Sequence, residues 1–427
     1  MKIGIIGAGF TGLSAAYELQ QQGHDITVIE KDAQPGGLAL GFKEKNWDWT
    51  LEQHYHHWFT NDTAVLNLAK HIHHPVLIRR PKTSVFIEGS TYQLDSPGNV
   101  LRFEKLSPFD RLRMAATLGF LKFDPFWKPL EKIHAATFLP KVMGKTAYEM
   151  LWEPQFMNKF GDHTSDISLA WFWARIKKRT SSLAYPEKGF LAFAQDLTQT
   201  LQNNNVETLF RTQITSLESK NKRVRILTDN KKYKDLEFDN VIVTLPSFIF
   251  LKVAQGLPSS YVKRLSPLQG LGAINVVLRL SRPLLSDKTY WLSICEKNAP
   301  VTAVVEHTNF MDKKYYNNEH IVYLGNYLPA THPYFGQTAQ QLIATFDPLL
   351  KKLNPSYKKN LIGAQIFKAP FAQPIIPVNY SRMIPPFETP LKNVFLANMQ
   401  QVYPWDRGTN YAVELGQKIA SRVSQNT

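Results

Sequence analysis

The 427-residue chain holds one cysteine, Cys295. A single thiol closes no intrachain disulfide and builds no multi-cysteine zinc or iron–sulfur site, and it fits a reducing compartment. No apolar run is long enough to cross a bilayer. Repeats, low-complexity tracts and flexible linkers are also missing, so the length implies two or three intimately packed domains. Acidic residues are scarce: 35 Asp and Glu stand against 50 Lys and Arg, a net charge of +15. The basic residues are dispersed, with only short runs such as Lys177-Lys178-Arg179 and Lys231-Lys232. No nucleic-acid-binding motif accompanies them, so nucleic acid is not expected as a partner. The charge reads as a solvated surface with some pull toward an anionic lipid face. Histidines gather at His54, His56 and His57 and at His71, His73 and His74. Without H-E-x-x-H or cysteine partners, no metal is expected there.

What is present begins at once. An apolar strand, Lys2-Ile3-Gly4-Ile5-Ile6, leads into Gly7-Ala8-Gly9-Phe10-Thr11-Gly12, a helical stretch through Leu19, a second strand Ile26-Thr27-Val28-Ile29, and Glu30. G-x-G-x-x-G between a strand and a helix, with an acid ending the next strand, is a dinucleotide-binding unit. Gly7 permits the tight turn, Gly9 admits a pyrophosphate to the backbone, and Gly12 lets helix and strand pack closely. The diphosphate is expected at the helix N-terminus. Glu30 suits a ribose 2′-hydroxyl and repels a 2′-phosphate, which argues against NADP. The glycines fall at nucleotide spacing, so the apolar opening is read as fold and not as a secretory leader. The expected location is cytoplasmic, with peripheral contact to the cytoplasmic membrane face as a variant.

The unit continues past its usual end through Lys31-Asp32-Ala33-Gln34-Pro35 to Gly36-Gly37. The run from Gly7 to Gly37 resembles the FAD-binding N-terminus of the flavin amine oxidase, phytoene desaturase and protoporphyrinogen oxidase superfamily. Further along, Trp152-Glu153-Pro154 with Lys159-Phe160-Gly161 resembles a segment of that group's helical cap; an aromatic core is the alternative reading. Lys188-Gly189 stands where relatives carry two glycines. Phe238 to Pro246 reads as one buried strand ending in a proline stop. At the other end, Asn393-Val394-Phe395-Leu396-Ala397-Asn398 and Tyr403-Pro404-Trp405-Asp406-Arg407-Gly408-Thr409-Asn410 lead into a helix over 411–423, resembling the group's last motif. There a helix N-terminus faces the flavin pyrimidine and stabilises its reduced anion.

The resemblance implies an α/β fold: a Rossmann-like FAD domain (1–80, 185–262 and 385–427) interleaved with a mixed β-sheet substrate domain (81–100 and 263–384) and a helical cap (101–184). FAD contacts are expected from Gly7, Gly9, Phe10, Thr11, Gly12, Glu30, Lys31, Gly36, Gly37 and Leu38. Ile214 is placed on the adenine side, and Arg407, Gly408, Thr409 and Asn410 near the flavin.

For chemistry, the adjacent Glu306 and His307 are expected on a strand, with one of them facing the cavity as a general base. His54 is a pocket candidate because the segment after Gly36-Gly37 returns to the flavin in relatives. Tyr327 joins Trp291, Tyr323 and Tyr403 as candidate wall. The expected activity is an oxidoreductase that moves a hydride from an amine-bearing or allylic carbon to flavin N5, with reoxidation by oxygen, a quinone or another acceptor. Two alternatives stand: a non-redox flavin-dependent mutase resembling UDP-galactopyranose mutase, and a non-catalytic FAD-stabilised binding protein. The substrate is expected to be a small molecule, lipophilic or anionic. The apolar and basic residues of 109–143 suit either a membrane contact or the buried face of the cap.

Overall fold

In the computed structural model, which describes residues 1–425, the strand Lys2–Ile6 is the middle of a five-stranded parallel sheet. Its order is Glu207–Leu209, Asp25–Ile29, Lys2–Ile6, Asn240–Val243, Val394–Leu396. Ile3, Ile5 and Ile6 are all buried, as a parallel strand covered on both faces requires. The opening helix Phe10–Gln21 packs along the closing helix Thr409–Gln425. Gly416 makes that seam possible. A Cβ there would lie 2.5 Å from the Thr11 carbonyl oxygen and 2.7 Å from Ser14 Cβ. The Ser14 hydroxyl crosses the seam to donate to the Val413 carbonyl at 3.1 Å.

The stretch from Phe238 to Pro246 is not one strand. Asp235–Phe238 closes an antiparallel meander with Ile214–Lys220 and Arg223–Thr228, and Asn240–Val243 joins the parallel sheet. Asp239 forms the joint; its carboxylate accepts from the Lys2 amide at 2.7 Å and pairs with Arg223. Both strands have buried residues, so the apolar run hides the change of sheet.

A second, seven-stranded mixed sheet runs in the order Leu361–Pro374, Gly270–Leu280, His320–Leu328, Ala303–Glu306, Thr289–Ile294, Lys82–Ile87, Ser90–Gln93. The helix Ala339–Leu353, started by a Thr338/Gln341 capping box, covers one face. It buries Leu342, Phe346 and Leu350 against Ile274, Val276 and Leu278. Strand alternation puts Ala273, Asn275 and Val277 on the other face, opposite Tyr327, Gly325 and Tyr323. That face shares a core with the parallel sheet through Val277, Val305 and Tyr323. The third part is helical: Pro108–Phe123, Ala135–Met143, Glu153–Phe160 and Leu169–Lys178. Ser107 caps the first of these by accepting from the Asp110 amide, with Pro108 leading.

Candidate active site

One end of the site is made of backbone. Gly7 has φ +107°, and a Cβ there would meet Thr244 Oγ1 at 2.4 Å. A Cβ on Gly12 would sit 2.0 Å from the Gly7 carbonyl oxygen. No side chain caps the opening helix and no acid stands in its first turn, so its first N–H groups are offered to an anion. Gly36 donates to the Ala8 carbonyl at 2.9 Å. A Cβ on Gly37 would be 3.2 Å from Gly9 Cα, so the paired glycines lie directly on the first glycine turn. Glu30 is buried. One oxygen accepts from the Ala8 amide at 2.7 Å and the other from the Asp32 amide at 2.8 Å. A carboxylate has about four acceptor sites, so two remain for a diol. Burial pushes its pKa up, against those two amide bonds.

The neighbours differ in what they offer. Phe10 turns into the core and stacks on Phe193 at 5.3 Å, so only its amide faces the turn. Thr11 lies along the seam with Gly416. Lys31 is exposed beside Asp32. Ile214 packs with Ile6, Ile29 and Leu209, just after a segment in which Arg211 and Thr212 amides bond to the Asp32 and Glu30 carbonyls. Leu38 reaches across to the second sheet and packs on Ala273, Ala369 and Ala372 beside Tyr327.

The other end is made of side chains from distant segments. Between the short strands Leu51–Glu52 and Trp58–Phe59 the chain presents His54, Tyr55, His56 and His57. The Asn275 amide donates to His54 Nδ1 at 2.6 Å. His56 Nδ1 donates to the His54 carbonyl at 2.6 Å, which leaves its Nε2 as the lone pair. His57 Nδ1 lies 3.1 Å from the Tyr290 hydroxyl. Burial, with smaller contributions from nearby cationic groups, lowers His54 to about 3, His56 to about 4 and His57 to about 3. All three are neutral imidazoles at neutral pH. Tyr55 fits against the bare backbone of Gly325, where a Cβ would touch its ring at 2.5 Å, and meets Trp291 edge-to-face at 4.9 Å.

Arg407 lies over the Tyr327 ring at 4.9 Å and donates to its hydroxyl; its Nε has no partner. The preceding residue, Asp406, collects Arg175 at 2.8 Å, the Trp171 indole at 3.2 Å, Gln373 at 3.3 Å and Lys159 at 3.8 Å. Burial raises the Asp406 pKa, but Lys159, Arg175 and Arg407 outweigh it and hold the carboxyl below its usual range. Lys159 is only 8% exposed, and its ammonium lies 4.8 Å from the Trp171 ring and 5.1 Å from that of Tyr327. Burial and then Arg175 push Lys159 well below the usual lysine range, opposed by Asp406. Two guanidiniums and the Lys159 amine thus surround one carboxylate beside the neutral histidines.

Of the residues singled out from the sequence, His54, Tyr327 and Arg407 come together here. Gly408 begins the turn into the closing helix. Thr409 accepts from the Trp58 indole at 2.6 Å, and Asn410 accepts from the Val65 amide and donates to Glu414, so both side chains are held by the fold.

Glu306 and His307 do not join the cluster. Glu306 ends its strand and His307 opens a 3-10 turn, so simple alternation does not govern the pair. Glu306 is fully buried on the far face, accepting from the Leu285 amide at 2.7 Å and facing His320 at 3.4 Å. His307 is sealed against the Tyr316 hydroxyl at 2.8 Å, in a group that includes Tyr185 and Tyr323. There Glu52 accepts from the Tyr185 hydroxyl and the Phe190 amide, and its backbone carbonyl takes the Tyr323 hydroxyl. Tyr403 bonds to Glu131 within the helical part.

Sequence reasoning missed Lys159, Arg175, Asp406, Asn275 and Gln373 as site residues. Lys159 carried a signal: a charge beside Phe156 and Phe160 on the buried side of its helix. The donor set suits a dinucleotide carrying a ring. Amides and an uncapped helix meet the phosphates, Glu30 has acceptors to spare, and partnerless buried atoms (Arg407 Nε, Asn275 Oδ1 and Gln373 Oε1) gather at the far end.

Comparison with known proteins bears on the family and the fold. Residues 10–424 match the family of flavin containing amine oxidoreductases. Coproporphyrinogen III oxidase of Staphylococcus aureus is 24% identical over 290 residues, which is 58% of this chain and 61% of that relative, under two thirds of its length. Among solved structures, an oxidoreductase from Methanosarcina mazei superposes with a TM-score of 0.76 at 18% identity, covering 99% of this chain and 100% of the other. Reduced UDP-galactopyranose mutase does so with 0.77 at 15% identity, covering 100% and 96%. At such identities the superpositions speak for the fold. With the family match spanning nearly its whole length, the chain belongs to the flavin-containing amine oxidoreductases.

Proposed function

We propose that the chain is an FAD-dependent oxidoreductase that takes a hydride from an amine-bearing or allylic carbon of a small substrate carrying an anionic group. The observation that carries this reading is the meeting of neutral imidazoles with Lys159, Arg175 and Arg407 at the spot where Leu38, following Gly36-Gly37, reaches Tyr327. FAD, when bound, supplies the hydride acceptor at N5. The chain does the rest. The first turn of the opening helix and the glycine turns hold the diphosphate, and Glu30 takes the ribose. Arg407 and the closing helix N-terminus, which has no acid in its first turn, favour negative charge on the ring. Lys159 and Arg175 orient the substrate anion. His56 Nε2 accepts the substrate proton, and a neutral imidazole is the form that does so. Tyr55, Trp291 and Tyr327 form a wall that keeps water from the reacting carbon.

The test is to purify the protein, release and identify its nucleotide, and then follow anaerobic bleaching with amines, isoprenoids, porphyrinogens and nucleotide sugars. Release of FAD and bleaching by one class supports the reading. A folded, colourless protein that refuses added FAD overturns it. The basic cleft also suits a second reading, a non-redox mutase acting on a sugar nucleotide. In that case turnover requires prior reduction of the flavin and the substrate bleaches nothing.

A further inference from the structure

The helix Pro108–Phe123 is buried along Met114, Thr117 and Leu121. Its opposite side should be polar on a helix that faces water. Instead Phe109, Leu112, Ala116, Phe120 and Phe123 form one exposed stripe at steps of three and four residues. Phe123 is 81% exposed and Phe126, just beyond the helix end, 71%. Leu101 is exposed close by in sequence. Most of the large apolar side chains that the described residues leave exposed fall between positions 101 and 126. Contiguous apolar surface of this kind marks a contact site.

The charges around the stripe indicate the partner. Arg113 lies over the Phe109 ring at 5.6 Å, and Arg102, Lys128, Lys132 and Lys141 are exposed nearby in sequence. Of the acids in this stretch, Asp110 is turned to its helix cap, Asp124 to the Phe126 amide and Glu131 to the Ser381 and Tyr403 hydroxyls, which leaves Glu104. Two such surfaces facing each other would repel, whereas an anionic bilayer attracts both the phenylalanines and the cations. We infer that the outer face of Pro108–Phe123, continued by Phe126, docks this protein on an anionic lipid surface. The flank of the docked helix is fastened to the helix Leu169–Lys178. Lys122 binds the Lys177 carbonyl at 3.0 Å and the Arg179 carbonyl at 2.5 Å, at the end of the helix whose Arg175 holds Asp406. The docked helix is thereby tied to the end of the helix that carries Arg175.

Flotation of the full-length protein with phosphatidylglycerol/phosphatidylcholine vesicles, and with phosphatidylcholine vesicles alone, tests this. The wild type is expected to float with the first, to release at high salt, and to leave the second largely unbound. The triple variant Phe120→Ser/Phe123→Ser/Phe126→Ser alters side chains that pack on nothing inside. It is expected to keep its melting temperature and bound flavin while partitioning about tenfold less. No flotation of the wild type overturns the inference, as does undiminished flotation of the variant. A wild-type dimer that the triple variant converts to a monomer, without vesicle binding by either, would assign the stripe to a second copy of the chain and overturn it as well.

Discussion

The two ends of the site are built on opposite principles. The glycine end, proposed to hold the diphosphate, is almost entirely main chain: Gly7, Gly9, Gly12, Gly36 and Gly37 bring backbone to within van der Waals contact, and one carboxylate, Glu30, finishes it. The cleft end is almost entirely side chain, drawn from positions as distant as His54, Lys159, Asn275, Tyr327 and Arg407. Steric limits govern the first and electrostatics the second. Substitutions at the first should therefore harm the fold itself. Substitutions at the second should harm chemistry and leave the fold standing.

The largest effect is expected at Gly12. Alanine there drives a Cβ into the Gly7 carbonyl, at a cost of about 3 kcal/mol or more, because backbone on both sides must move. Soluble yield and flavin absorbance of Gly12→Ala should both collapse. If the variant folds and binds flavin normally, the glycine end is not sterically limited. Lys159→Met is the contrasting case. It keeps the stem packed on Trp171 and Tyr327 but removes the charge. Bleaching by an anionic substrate should slow about 100-fold, with the melting temperature nearly unchanged. A variant that melts early yet turns over normally would make Lys159 a structural residue.

pH separates two buried groups within the protein. His54, His56, His57 and His307 have folded-state pKa values of about 3 to 4, below the ordinary 6.5. Their neutral forms stabilise the fold fully above pH 6.5, and that contribution is lost as pH falls toward those values. Glu52 runs the other way. Burial raises it to about 7 against its Phe190 and Tyr185 bonds, so its contribution is full below the ordinary 4.5 and disappears as pH rises through 7. Melting curves should show His56→Gln flattening the acid side and Glu52→Gln flattening the rise toward neutrality. Each group contributes at most about 1.4 kcal/mol per pH unit, less for the histidines that keep some solvent access. The smallest effect belongs to Glu306→Gln and His307→Gln. Bleaching rates should stay within about twofold of wild type, since both side chains are sealed away from the cleft and surrounding packing limits the relay of any change. A large loss from Glu306→Gln would move the chemistry to the far side of the sheet, and one from His307→Gln to the tyrosine group around Tyr185 and Tyr323.

How much of this the sequence made legible follows the same division. Gly7 to Gly12, Glu30 and Gly36-Gly37 are readable because each answers to neighbours a few residues away. The parallel sheet, the helix Ala339–Leu353 and the closing helix are readable because their apolar periods are local. The cleft is different. Lys159 is one cation among fifty, and only its place between Phe156 and Phe160 hints that it points inward. Asp406 stands next to Arg407, yet its role depends on Trp171 and Arg175 from another segment. Glu306-His307 reads in the sequence as an acid–base pair on a strand. The strand ends between them, and which face each residue takes is a tertiary matter. Gly416 has no local signature, because what requires it is the backbone of another helix at Thr11 and Ala15.

That glycine bears on how the protein is made. The hydroxyl of Ser14 and the carbonyl of Val413 meet across the seam although they are 399 residues apart in the chain. The last strand of the parallel sheet, Val394–Leu396, also comes late. While the ribosome is still at work, the parallel sheet lacks its edge strand and an entire flank, and contacts of such long range form slowly. The seam can therefore close only when nearly the whole polypeptide is present, and a chain cut short before the closing helix leaves the opening helix bare along Thr11 and Ser14.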